Sequence, residues 1–341
     1  MIHGVIMLKN GDHLAEVSAK LKLTNGTLLK RVHSLWKKKL KSFDKKNGQL
    51  IWWLMLLPGL IFTLIFRYGP MFGVIISFQE FGLGSTSFFG NEWVGFDNFT
   101  YAFQLKAFGQ SIVNTLIIAG SKTVLGIVVP LILALLINEV GSKWFAKIVQ
   151  TTYFLPFFLS WVILGGIFNQ MFSYNGIINT LISVFGQEKI LFMLDNNWFR
   201  AIIIISDIWK GMGYNMIIFL AAITGVDMSL HEAAEIDGAN RLQRVWHITL
   251  PGILPTVALL STLAISGILN GNFDQVYIMY NPMVYKGGDI IDTFIFRQIS
   301  DNLDNGMGVS SAVGLMKSFV GSILVGGTYY FAYKKFGYRI F

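Results

Sequence analysis

Six stretches of this 341-residue chain are each apolar over enough length to form a helix that crosses a bilayer, and no other feature constrains its fold so tightly. They run approximately 51–78, 112–137, 148–172, 201–224, 253–280 and 309–333, against the roughly 20 residues a helix needs to span the hydrocarbon. Backbone in lipid must satisfy its own hydrogen bonds, so each run is read as a helix. A chain that is 53% hydrophobic and 13% charged, with mean hydropathy +0.56, is too apolar for a water-soluble domain of this size. Gly126, Pro130, Pro156, Gly165 and Gly166 lie inside the runs, a habit of membrane helices more than of soluble ones. The expected architecture is an all-α integral membrane domain of six transmembrane helices over 51–341. A polar, basic extension over 1–50 precedes it, with an amphipathic helix around Leu28–Phe43.

Charge orients the six crossings. The N-terminus, the loops near 138–147 and 225–252 and the C-terminal tail share one side and hold most of the 27 lysines and arginines, including Lys37, Lys38, Lys39, Lys41, Lys45 and Lys46. The opposite loops hold only Lys106, Lys189, Arg200, Lys286 and Arg297. The positive-inside rule therefore predicts that both termini and the 225–252 loop are cytoplasmic, in a multi-pass membrane protein. A pI near 9.4 does not point to nucleic acid here, because the charge flanks membrane spans, where anionic lipid is the partner. No cleavable signal is expected, since Lys9, Asn10 and Asp12 end the short apolar start. The absence of cysteine removes disulfides, thiolate metal sites and cysteine nucleophiles.

The polar loop between the fourth and fifth runs carries the most specific motif. Ser229 followed by Glu232 reads as a capping box starting a short helix from about Leu230 to Ile236. Gly238 stands where a helix end needs positive φ, a second helical stretch covers Asn240 to Ile248, and Pro251 suits the start of the fifth membrane helix. Glu232-Ala233-Ala234, Gly238, Ile248, Leu250 and Pro251 together make an EAA pattern, with three residues before the glycine and nine after it. This loop resembles the cytoplasmic coupling loop of ABC importer permeases.

The resemblance extends over about 50–341. Tyr68-Gly69-Pro70-Met71-Phe72-Gly73, Trp93-Val94-Gly95-Phe96-Asp97-Asn98-Phe99, Tyr280-Asn281-Pro282 and Ala312-Val313-Gly314-Leu315 look like the carbohydrate permeases, particularly those for complex oligosaccharides and polysaccharide fragments. It implies a type I importer permease fold with a cytoplasmic coupling helix within 227–251. It also implies a second homologous permease, two ATPase subunits, an extracytoplasmic sugar-binding protein and an oligosaccharide substrate. Glu232, Ala233, Ala234, Asp237, Gly238, Ile248, Leu250 and Pro251 would then couple to the ATPase. No G-x-x-x-x-G-K-[ST] sequence is present, Gly120-Ser121-Lys122-Thr123 failing on spacing, so ATP and Mg belong to the partner ATPases. No cofactor, metal or covalent chemistry is expected of this chain.

Polar groups inside crossings are costly in hydrocarbon and mark a partner or a cavity. Asp207 and Lys210 are spaced to pair at i,i+3, with Gly211 and Tyr214 on neighbouring turns, and Asn270, Asn272, Asp274 and Gln275 cluster late in the fifth run. By resemblance, Asp207, Lys210, Gly211, Tyr214 and Asn272 line the sugar path, although Asp207 and Lys210 replace less charged family types. The residues alone allow two other readings, a structural ion pair and a contact with the second permease. Lys210 favours acidic sugars such as uronates; Asp207 can cancel its charge, which leaves neutral glycans open. Arg67 and Lys317 are read as snorkelling or marking helix ends, and Lys122 has no assigned role.

Two other functions compete. An ion-coupled secondary transporter would use Asp207 and Asp274, but there is no internal repeat and the EAA loop would have no purpose. A membrane enzyme would need a constellation that His3, His13, His33, His231 and His247 do not supply, since they lack metal-ligand spacing.

Overall fold

The structure is a computed structural model that describes residues 52–336 apart from 83, 86, 88, 89 and 303. The extension over 1–50, with its expected amphipathic helix, lies outside the described residues. The chain divides into two compact units, Met1–Phe72 and Gly73–Phe341. Among the described residues the elements are helical, with one isolated antiparallel bridge between Gln79 and Trp93.

Helix α1, Trp52–Phe78, tightens from a π turn at Leu64–Tyr68 into 3-10 turns from Gly69. A short α2 (Asp97–Gln104) leads into α3 (Lys106–Asn138). Then come α4 (Lys143–Phe154), α5 (Trp161–Met171), α6 (Ile177–Val184) and α7 (Asn196–Thr224). The polar loop holds α8 (Met228–Ile236), followed by α9 (Arg241–Ser266), α10 (Phe273–Met279), α11 (Ile291–Asp301) and α12 (Gly306–Phe336). Among the described residues five helices (α1, α3, α7, α9 and α12) are long and apolar enough to cross a membrane, and α4 with α5 makes a sixth if counted as one bent span.

Two expected crossings are not continuous helices. The run 148–172 bends by 101° between Phe158 and Trp161, because Pro156 drives the chain into 3-10 turns and Leu159 is extended. Ser160 then caps α5, its hydroxyl accepting from the Ile163 amide. The run 253–280 ends its helix at Ser266 and restarts at Phe273 after Asn272, whose φ of +64° is the left-handed conformation that asparagine tolerates. Hydropathy does not register the first break, whose two sides are equally apolar, whereas the second falls in the polar cluster Asn270, Asn272, Asp274 and Gln275.

The core has three clusters. Ala134, Ile137, Met216, Phe219, Ile223 and Ile253 join α3, α7 and α9 near the 225–240 loop. Ile118, Phe199, Ile203, Val276 and Met279 join α3, α7 and α10 toward the other face. Ala102, Phe108, Ile291, Phe294, Val309 and Val313 join α2, α3, α11 and α12. Lipid removes most of the hydrophobic drive for helix association, so close backbone approach and interhelical hydrogen bonds matter more than buried area. Gly213 on α7 supplies the closest approach, since a β-carbon there would overlap the Tyr153 carbonyl of α4. Lys317, read from sequence as a snorkelling group, instead pairs with Asp292 of α11 at 2.5 Å.

Gly213 generates a paired prediction. Gly213→Ala should lower the thermal midpoint in detergent, an overpacking cost of about 1–3 kcal/mol. Gly211→Ala, where a β-carbon meets nothing within 4 Å, should leave the midpoint unchanged or raise it. Equal midpoints would mean that the α4–α7 approach is not the tight contact.

Candidate functional site

Two places bring the sequence-flagged residues together, an intramembrane polar network and the 225–251 loop. At the first, Lys122 of α3 is only 8% exposed. Its Nζ donates to Gln275 Oε1 at 2.5 Å and to the Gly271 carbonyl at 3.1 Å, and lies 3.7 Å from Asp207 Oδ1. Asn272 Nδ2 donates to the same carboxylate oxygen at 2.8 Å. The buried Gln275 amide donates to the Ile203 carbonyl at 2.8 Å and to the Ser206 hydroxyl at 2.9 Å. A buried cation is thus surrounded by a carboxylate, an amide and a carbonyl, the arrangement that makes an intramembrane charge tolerable.

Lys122 and Asp207 open onto a cavity of about 370 Å³ whose wall also includes Gly126, Gly211, Asn215 and Leu260. Asn215 has a second task there. Pro130 lacks the N–H that would bond the Gly126 carbonyl, and Asn215 Nδ2 donates to that carbonyl at 3.1 Å from α7.

The flagged residues of α7 divide between adjacent stripes. Asp207 and Gly211 line the cavity with Asn215, whereas Lys210 and Tyr214 meet the bend of the third span. Lys210 Nζ donates to the Phe157 carbonyl at 2.9 Å and lies 5.3 and 5.7 Å from the Phe157 and Trp161 rings. Tyr214 stacks on Phe157 with centroids 4.7 Å apart. The expected Asp207–Lys210 pair is therefore replaced by Asp207–Lys122. A lysine one turn along competes with Asn272 and Lys122 for the carboxylate, while an unpaired carbonyl at the break offers it a nearer acceptor. Lys122 is the residue that sequence reasoning missed. The signal was available, because a charge in the middle of an apolar run must have a partner.

The loop is a tightly capped helix–turn–helix. Its N-cap is Asp227, not Ser229: Asp227 Oδ1 accepts from the Ser229 amide at 2.9 Å, starting α8 two residues earlier than expected. That bond holds the Asp227 carboxyl below its usual range. At the other end Gly238 has φ +80°. Its amide donates to the Glu235 carbonyl and the Ala239 amide to the Ala234 carbonyl, the two bonds of a Schellman turn. A reciprocal capping box between Asn240 and Gln243 starts the next helix, and Arg244 clamps the two with a 2.6 Å bond to Glu235. That next helix is α9, which passes through a π turn over Val245–Thr249 before its regular part, with Pro251 at the start of that part. Glu232, Ala233, Asp237 and Gly238 are exposed, Ala234, Ile248 and Leu250 half-buried, and Pro251 exposed. Ile236 is 87% and Leu242 67% exposed, an apolar surface on a rigid polar loop.

Residues 126–335 match the family described as "Binding-protein-dependent transport system inner membrane component". The chain belongs to this family, the permeases of ABC importers. The permease is 42% identical to Protein LplB of Bacillus subtilis over 83% of its own length and 88% of that protein. It is also 42% identical to the polygalacturonan/rhamnogalacturonan transport system permease protein YteP of the same species, over 80% and 84% of the two chains. A chain in the crystal structure of a bacterial ABC transporter involved in the import of the acidic polysaccharide alginate superposes with TM-score 0.76. That chain is 35% identical, with 87% of the permease and 99% of the other chain covered. The permease is accordingly a multi-pass membrane protein, and the ion-coupled reading is not favoured.

Removing the Lys122 charge should expose how the network is built. Lys122→Met leaves the half-buried Asp207 carboxylate with Asn272 alone and should cost about 1–3 kcal/mol. Adding Asp207→Asn should recover much of that loss in a double-mutant cycle read by thermal unfolding in detergent. Additive effects would show that the two charges do not depend on each other.

Proposed function

We propose that the permease is one half of the translocation path of an importer for oligosaccharides, of the uronate-containing kind. Its path is shared with a second homologous permease, and two ATPase subunits that hold ATP and Mg drive it. An extracytoplasmic sugar-binding protein delivers the substrate. In this reading residues 51–341 are the transmembrane domain of a prokaryotic plasma-membrane protein with both termini cytoplasmic, and 1–50 is a basic extension on anionic lipid.

One observation carries the coupling role: the capped loop presents Ile236 and Leu242 to solvent while Asp227, Gly238, Asn240 and Arg244 hold it rigid. A surface kept apolar at the cost of solubility serves a protein partner. Glu232, Ala233, Ala234, Asp237 and Gly238 form its leading face, and Ile248, Leu250 and Pro251 carry movement into α9. Asp207, Gly211 and Asn272, joined by Lys122, are the polar side of the sugar path, and Lys210 and Tyr214 hold the bent third span beside it. The substrate class is supported by the names of the relatives, one serving polygalacturonan and rhamnogalacturonan and another alginate.

Affinity purification of the tagged chain from its native membranes in mild detergent should recover a second permease and a P-loop ATPase. A chain that stands alone even after cross-linking would sink the importer reading. In the reconstituted complex, tetragalacturonate uptake should exceed maltotetraose uptake; the reverse would make the substrate neutral. Gly238→Val should assemble normally and hydrolyse ATP without uptake, because a β-branched residue pays about 1–2 kcal/mol in the left-handed conformation. Gly238→Asn should keep coupling. Normal uptake in the valine variant would overturn the turn's role.

A further inference from the structure

Beyond the cavity, α10 carries a row of aromatic rings on one face. Phe273 stacks on Tyr277 with centroids 5.2 Å apart, Tyr277 lies 5.9 Å from Tyr280, and Tyr280 5.0 Å from Tyr285. Phe296 of α11 meets Tyr277 edge-on at 4.9 Å. The opposite face of α10, with Gln275, Val276 and Met279, is buried. Tyr277 and Phe296 are each 42% exposed, while Phe273, Tyr280 and Tyr285 are half-buried and the Arg297 guanidinium lies 4.2 Å over the Tyr285 ring.

The row starts where the polar network ends. Asn272, the residue before Phe273, bonds Asp207, and Gly271 accepts from Lys122, so the first ring adjoins the residues that line the cavity. From Phe273 to Tyr280 the helix advances about 10 Å, away from the cavity and on the membrane side opposite the 225–240 loop. Asp274 is exposed and lies one turn before Tyr277 on this face. A free carboxylate is costly against lipid, so this face meets water.

We propose that Phe273, Tyr277, Tyr280, Tyr285 and Phe296 form a stacking track that guides pyranose rings of the oligosaccharide into the cavity. This rests on the reading of the permease as an oligosaccharide importer. The apolar faces of pyranose rings pack on aromatic faces, and tyrosine hydroxyls meet the sugar's own hydroxyls. A series of similar weak sites also suits passage, since a path must bind well enough to admit and weakly enough to release. Asp274 contributes to that release by repelling a uronate carboxylate that would otherwise lodge.

The test uses the complete transporter in proteoliposomes with its binding protein, and tetragalacturonate and galacturonate as probes. Tyr277→Ala and Phe296→Ala should each raise KM for the tetramer about tenfold and change kcat less. The monomer should be less affected, and Tyr277→Phe should stay within about twofold of wild type. Unchanged tetramer KM in both alanine variants, beside active wild type, would overturn the track and leave the importer reading standing. Loss of the second permease on purifying Tyr277→Ala would also overturn it, by making the face a subunit contact. A wild-type complex that imports neither oligogalacturonate nor malto-oligosaccharide would instead defeat the importer reading, and the track with it.

Discussion

A backbone carbonyl released inside hydrocarbon has no water to accept from, and the arrangement of this permease follows from that constraint. At three places where a backbone carbonyl loses its helical partner, a side chain from another element supplies a donor. Asn215 bonds the Gly126 carbonyl that Pro130 leaves without its N–H. Lys210 bonds the Phe157 carbonyl at the bend of the third span. Lys122 bonds the Gly271 carbonyl where the fifth span stops being helical. Two of the three donors come from α7 and the third from α3, the pair of helices with the most extensive mutual packing. The polar residues around the cavity thus have a structural duty of their own.

The interruptions also create the space that a path requires. Continuous helices would pack side chains against one another along their length, as the α3–α7–α9 cluster does near the loop. Where α9 ends at Ser266 and α10 restarts at Phe273, the polar groups of Gly271, Asn272 and Gln275 turn toward Lys122 and Asp207. The Lys122–Asp207 pair keeps the site nearly neutral. A neutral, hydrogen-bonding wall admits a hydroxylated solute without trapping an ion, which is consistent with a conduit for sugar.

The loop at the other end of α7 and α9 is built on a different principle. It stands in water, so its rigidity comes from caps and one ion pair instead of from burial. Between the loop and the cavity runs α9, with its π turn at Val245–Thr249. Such single turns occur inside α-helices, and this one lies just before Pro251. Ile236 and Leu242 stand exposed on this rigid loop.

Much of this was legible in the sequence. Six apolar runs marked the spans, because twenty apolar residues in a row have few other uses. The glycine-centred spacing at 232–251 marked the loop, and the positive φ of Gly238 followed from the demand of a helix end. The N-cap shifted from Ser229 to Asp227 because both residue types cap and only the local backbone chooses between them. Pro156 and the polar cluster at 270–275 stood in the sequence at the two breaks, but tertiary structure alone decided the exchange of Lys210 for Lys122 as the partner of Asp207. Periodicity and hydropathy report how each segment meets lipid. Which donor reaches which orphaned carbonyl depends on how helices distant in sequence are set against one another, and that is a property of the packed bundle.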